Sequence, residues 1–270
     1  MQVRMTATVI ALGALIAAAL QAPPQPAADR PVPRTDQNSR LAHAQLLEKT
    51  RSGRIDVYFA GDSITRRWGA TDYPELLAHW RQTFFGWNAA NFGWGGDTTQ
   101  NILWRLENGE LDGVNPKVIV LQAGTNNLAR VTVADDPAAV AGDVARGIRA
   151  ILDVMRAKAP SATIIVTGLF PRGDRVELNP IIADINRRVA AVADGRSIRF
   201  INVNDRLADA SGTPSANVMR DGLHPTLEGY QVWADGLAPL LTTLLGPRAS
   251  TDAAPPPTGD PSAAARQPVK

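Results

Sequence analysis

Only three histidines and no cysteine occur in this 270-residue chain. A thiol nucleophile, a disulfide, a thiolate metal site and a lipidated N-terminal cysteine are therefore all excluded. A metal site built from several histidines is not expected, and a base for hydroxyl chemistry must come from His43, His79 or His224. His43 and His79 fall inside helical patterns, His79 within Leu76-Leu77-Ala78-His79-Trp80. His224 is placed differently, in the loop-like run Asp221-Gly222-Leu223-His224-Pro225. A carboxylate three residues earlier can reach back to the imidazole Nδ1. That contact fixes the tautomer and steadies the imidazolium formed when the ring takes a proton.

Three further polar clusters each follow an apolar run. Gly61-Asp62-Ser63-Ile64-Thr65 offers a serine at a helix start, where free N–H groups and the helix dipole favour developing negative charge. Taken alone, the Gly-Asp-Ser triplet is weak evidence for chemistry, and a plain helix cap is the commoner reading. The run is not the Gly-x-Ser-x-Gly elbow, because Thr65 stands at the second glycine. Asn91-Phe92-Gly93-Trp94-Gly95-Gly96-Asp97-Thr98-Thr99 is glycine-rich enough to bring backbone N–H groups close to a ligand. It also fits a phosphate loop or a plain turn, although it lacks the dinucleotide fingerprint and the lysine of a Walker loop. Asp97 with Gln100 resembles a capping box for the next helix. In Gly124-Thr125-Asn126-Asn127, an asparagine amide can donate to an oxyanion, or simply close a turn.

The elements that must position these clusters alternate between strand and helix. Apolar, β-branched runs at Ile55–Phe59, Ala89–Phe92, Val118–Gln122, Thr163–Thr167 and Ile198–Val203 read as strands buried on both faces of a parallel sheet. Between them lie helical stripes. Pro137 opens one that carries Val140, Val144, Ile148, Ile151, Leu152 and Met155. Asn179-Pro180 opens another, with Ile182, Ile185, Val189 and Val192. A short helix is expected at Leu41–Lys49 and another over Ile102–Leu106. A final one carries Trp233, Leu237, Leu240, Leu241 and Leu244, with a kink expected at Pro239. The alternation predicts a doubly wound α/β domain, and ligands in such sheets sit beyond the C-terminal strand ends. All four polar clusters fall at such ends or just before the last helix.

The order Ser, Gly, Asn, then Asp-x-x-His resembles the four sequence blocks of the SGNH (GDSL-type) hydrolase family, with Ile64 where the first block usually has leucine. The similarity spans about Asp56 to Leu245. It is closest around Asn91–Leu111, Val118–Asn127 and Gly168–Gly173, which look like the catalytic subunits of platelet-activating factor acetylhydrolase Ib and their bacterial relatives. The resemblance implies a flavodoxin-like three-layer α/β/α sandwich around a five-stranded parallel sheet. It implies a serine esterase with Ser63 as nucleophile and His224 and Asp221 completing a triad. The oxyanion would be held by the Ser63 and Gly96 N–H groups and the Asn126 amide. It also implies short acyl groups, particularly acetyl, with no metal or organic cofactor. Trp94 and Phe170 are candidate walls of a small acyl pocket, or else core residues. Other substrates in view are acetylated carbohydrates, and lysophospholipids or thioesters. A catalytically silent glycan-binding module is the non-enzyme alternative. Relatives form dimers, so a homodimer is an expectation by analogy.

Composition sets the remaining bounds. The 28 basic and 26 acidic residues nearly cancel, and no basic run marks a nucleic-acid partner. Residues 1–22 read as a signal peptide: Arg4, then an apolar run from Val9 to Leu20, then small residues. The run is shorter than the ~20 residues a membrane span needs, so export is expected rather than a stable anchor. Residues 23–38 and the Pro/Ala-rich 247–270 are expected to be disordered, because they cannot bury enough apolar surface of their own. One domain, 39–246, lies between them.

Overall fold

In the computed structural model, which describes residues 26–264, strand β1 (Val57–Gly61) is paired on both sides in a five-stranded sheet of order β2-β1-β3-β4-β5. The other strands are β2 (Ala89–Asn91), β3 (Val118–Gln122), β4 (Thr163–Thr167) and β5 (Ile198–Ile201). Every pairing is parallel, with Gly61 in register with Gln122 at the C-terminal edge of the central pair. The doubly wound α/β expectation therefore holds, with β3 and β4 at the expected bounds. The central strands are buried throughout because alternate side chains face two separate cores.

Tyr58, Ala60, Ile119, Leu121, Ile164 and Val166 belong to one core. It is completed by helices α4 (Thr99–Arg105), α5 (Pro137–Lys158) and α6 (Asn179–Ala190), whose apolar stripes include Val144, Ile148, Ile151, Ile182 and Ile185. Val57, Phe59, Val118, Val120 and Ile165 belong to the opposite core. Helices α2 (Ser63–Gly69), α3 (Pro74–Phe84) and α8 (Leu227–Leu245) cover it, with a short α7 (Asn204–Leu207) beside them. That second core is aromatic. Phe59 lies against Trp80 and Phe84, while Trp68 stacks on Tyr230 and packs beside Trp233. The indole of Trp233 donates to Thr167 Oγ1 at 3.0 Å, so its one polar atom is satisfied. Helix α8 runs on through Pro239 to Leu245. Helix α1 (Gln37–Thr50) is longer at both ends than the expected Leu41–Lys49; at its N-terminus Asp36 caps it by accepting from the Ser39 N–H.

The described parts of the two segments expected to be disordered are packed onto the domain. Val32 exchanges hydrogen bonds with α4, its N–H donating to Gln100 O at 3.1 Å and its carbonyl accepting from Asn101 Nδ2 at 2.9 Å. Ala28 is fully buried and its carbonyl accepts from Thr99 Oγ1. At the other end, Asp252 accepts from the Gly86 N–H at 2.6 Å, Ala253 O accepts from the Arg54 N–H, and Pro255 is buried. Neither segment builds a core of its own, which is all their composition forbids. Each instead borrows the finished surface of the domain and pairs its backbone there. The expected signal peptide lies outside the described residues. No helix among the described residues is long and apolar enough to cross a membrane.

Candidate active site

Strand β1 ends at Gly61, a glycine because the chain there passes too close to its neighbours for a side chain. A Cβ would lie 2.1 Å from Thr65 Oγ1 and 2.5 Å from Gln122 O. The next two residues take separate roles. Asp62 caps α2, its Oδ1 accepting from the Ile64 N–H at 2.8 Å. Ser63 is the first residue of that helix, where the helix itself offers its N–H no acceptor. The capping reading of this cluster thus belongs to Asp62, and Ser63 is left to face the loop before α8. There, Ser63 Oγ lies 2.9 Å from His224 Nε2. The opposite ring nitrogen, Nδ1, lies 2.7 Å from Asp221 Oδ2.

The Asp221–His224 loop is closed by its own carboxylate. Asp221 Oδ1 accepts from the His224 N–H at 2.7 Å and from the Leu223 N–H at 3.0 Å, around Gly222 at φ +74°. Burial pushes the Asp221 carboxyl up, but the His224 and Leu223 N–H groups and the imidazole outweigh it and bring it to about 2. Asp221 is therefore a carboxylate at neutral pH. His224 is drawn below its ordinary value, chiefly by desolvation and further by the Arg67 charge, against the pull of Asp221. It is mostly neutral at pH 7, the form in which it can take a proton. Arg67 itself reaches Asp221 Oδ2 at 3.5 Å and lies over the Tyr73 ring. Sequence reasoning missed Arg67. The available signal was its position one helical turn after Ser63, on the same face of α2.

The glycine-rich loop and the asparagine cluster meet opposite the histidine. A Cβ on Gly95 would lie 3.9 Å from Ser63 Cβ, so this loop runs alongside the serine. Gly96 is exposed, with φ +77°, and its N–H has no hydrogen-bond partner among the described residues. Asn126 donates from Nδ2 to Asp97 O at 2.9 Å, which fixes the amide and leaves one of its two N–H bonds available. The structure therefore brings Ser63, Gly96, Asn126, Asp221 and His224 to one edge of the sheet.

The other two histidines are engaged elsewhere. His43 Nδ1 lies 2.7 Å from Glu110 Oε1. His79 accepts from the Trp68 indole and meets Gln231. Trp94 and Phe170 do not form the expected acyl-pocket walls. Trp94 is 7% exposed, donates to Ser39 Oγ and lies under the Arg66 guanidinium, while Phe170 is 2% exposed and meets Trp233 edge-on. Phe170 is part of the second core, whereas Trp94 is held outside both cores by Ser39 and Arg66. The capping box also falls one residue later than expected, on Thr98 and Asn101. Asp97 is withdrawn from capping by Arg105, whose Nε donates to Asp97 Oδ2 at 2.7 Å in a buried network that includes Glu110. Burial raises the Asp97 carboxyl to about 6 despite Arg105 and Arg34 beside it.

A hydroxyl hydrogen-bonded to an imidazole, itself held by a carboxylate, is the arrangement of a serine hydrolase. Comparison with known proteins narrows the class. Residues 59–232 match the model of the GDSL-like Lipase/Acylhydrolase family. Bovine platelet-activating factor acetylhydrolase IB subunit alpha1 is 35% identical over 208 residues, covering 75% of this chain and 82% of that protein. The rat alpha2 subunit is 36% identical over 207 residues, covering 75% and 83%. Among solved structures, a GDSL-like lipase from Bacteroides thetaiotaomicron aligns with TM-score 0.56 at 23% identity, covering 77% of this chain and 98% of that one. The lipase Lip_vut3 from a goat rumen metagenome aligns with TM-score 0.54 at 17% identity, covering 68% and 96%. Those two likenesses concern the fold. The chain belongs to the GDSL-like lipase/acylhydrolase family and is a carboxylic ester hydrolase.

Proposed function

We propose that the protein hydrolyses short-chain carboxylic esters, with acetyl as the preferred acyl group, through a covalent Ser63 intermediate. The observation that carries this reading is the 2.9 Å contact between Ser63 Oγ and the His224 Nε2. His224 takes the Ser63 proton as Oγ bonds to the ester carbonyl carbon. The carbonyl oxygen becomes an oxyanion among the Ser63 N–H, the Gly96 N–H and the second N–H of Asn126 Nδ2. Collapse of that intermediate breaks the bond to the leaving alcohol, which receives the proton from His224. Water then attacks the acyl-serine, giving its proton to His224, and the acid leaves as Oγ is reprotonated. Asp221 holds the Nδ1 proton throughout and stabilises the imidazolium.

The acetyl preference is supported by the acetylhydrolase relatives rather than by a pocket wall. The basic-then-apolar start of the chain, followed by small residues, supports export. Turnover of p-nitrophenyl acetate, butyrate, octanoate and palmitate tests the acyl reading. The expected maximum is at acetate or butyrate, and a maximum at octanoate or longer defeats it.

A further inference from the structure

The segment before helix α1 delivers a charged group to the site. Val32 is clamped to α4 by its two hydrogen bonds, and two residues later the Arg34 side chain lies along the glycine-rich loop. Arg34 Nη1 donates to Gly95 O at 3.2 Å and lies 3.4 Å from Asp97 Oδ1. Its Nε donates to Asp36 Oδ2 at 3.2 Å. A Cβ on Gly96 would sit 3.2 Å from the same Nη1, so the guanidinium lies directly against the loop. Arg34 falls outside the family-model match, which begins at residue 59.

The contact on Gly95 O matters because of peptide geometry. The Gly95 carbonyl and the Gly96 N–H belong to one planar trans peptide, so they point in opposite directions. A donor that fixes the carbonyl therefore fixes where the Gly96 N–H points. The positive charge on the carbonyl oxygen also draws electron density from the amide and strengthens its N–H as a donor. Two glycines in succession would otherwise leave this peptide free to rotate.

We infer that Arg34 is a positioning residue of the esterase: it orients and polarises the Gly95–Gly96 peptide so that the Gly96 N–H meets the oxyanion. The inference rests on the proposed oxyanion role of Gly96. Because the interaction matters only when negative charge appears on the carbonyl oxygen, its loss lowers kcat and leaves KM in place.

The test compares wild type, Arg34→Met and Arg34→Lys on p-nitrophenyl acetate, with thermal midpoints measured alongside. Arg34→Met keeps the length of the side chain and removes the charge. The expected result is a fall in kcat of about tenfold, smaller than the ~100- to 1,000-fold loss of a whole oxyanion donor. KM stays within about twofold. The thermal midpoint is expected to stay near that of wild type, and Arg34→Lys to recover part of the loss. Wild-type kcat in Arg34→Met overturns the inference, and so does a rise in KM with kcat unchanged. Should Arg34→Met fail to fold, Arg34→Lys decides: reduced kcat at unchanged KM supports the inference, and wild-type kcat overturns it. Labelling of wild-type Ser63 by a fluorophosphonate separates the two levels. A labelled wild type with an indifferent Arg34 sinks this inference alone, whereas an unlabelled wild type sinks the esterase mechanism and the inference with it.

Discussion

Ser63 Oγ and His224 Nε2 stand 2.9 Å apart although 161 residues separate them in the chain. The contact exists because β1 and the loop before α8 both finish at the C-terminal edge of one parallel sheet. From it follows a ranking of substitutions. Ser63→Ala and His224→Ala are expected to lower kcat by on the order of a million-fold, and Asp221→Asn by ~10,000-fold. Asn126→Ala removes one oxyanion donor and is expected to leave a remnant, ~100- to 1,000-fold below wild type. Initial rates on p-nitrophenyl acetate check the order. Equal losses at Asn126 and Ser63 would contradict it.

The pH profile reports the histidine. Desolvation and Arg67 hold His224 below its ordinary 6.5. The neutral ring is the active form, so kcat/KM is expected to fall on the acid side with a midpoint under pH 6.5. Arg67→Gln removes a positive charge that disfavours the imidazolium, so it is expected to move that midpoint upward. A midpoint that stays put or moves down in Arg67→Gln would count against this assignment.

Asp62 makes a prediction about stability. It is wholly buried, and its Oδ2 has no hydrogen-bond partner. Burial, with Asp97 nearby, raises its carboxyl from 3.8 to about 7. Between those values the unfolded chain releases a proton that the native chain keeps, so stability is lost as pH rises through that window. Asn at this position can still accept from the Ile64 N–H and carries no charge. Asp62→Asn is therefore expected to gain thermal stability over wild type from pH 4 to pH 7 and to hold that gain above pH 7. The gain is at most about 4 kcal/mol for a shift of this size. A difference in thermal midpoint that does not vary with pH would refute the account of Asp62.

Removing residues 248–270 tests the packed C-terminal segment. The deletion strips the Asp252 carboxylate from the Gly86 and Asn88 N–H groups and uncovers the surface beside Trp80 and Phe84. A loss of ~1–3 kcal/mol is expected, lowering the thermal midpoint by roughly 3–10 °C while kcat is preserved. An unchanged midpoint would show that this segment contributes nothing to stability.

The sheet and the Asp221–His224 spacing were legible in the sequence because each rests on local pattern, whereas the pairing of Ser63 with His224, 161 residues apart, was implied only by the resemblance to the SGNH hydrolases. Val118–Gln122 and Thr163–Thr167 are continuous apolar runs, and Asp221 and His224 lie three residues apart. What was not legible depends on partners far along the chain. Asp97 reads as a cap until Arg105 is placed beside it. Arg34 reads as part of a solvated linker until Val32 is seen paired with α4. Trp94 beside a glycine pair has the look of a pocket wall, yet its indole is turned to Ser39 and Arg66. Composition showed that the terminal segments cannot fold alone. It could not show that a finished domain offers them backbone partners.

Covalent labelling of the intact protein with a fluorophosphonate, followed by tryptic mapping, tests the nucleophile most directly. A single adduct is expected on the peptide spanning 55–66, at Ser63, and it should disappear in Ser63→Ala and form far more slowly in His224→Ala. An adduct on any other serine, or labelling of Ser63 at the wild-type rate without the His224 imidazole, would contradict the mechanism.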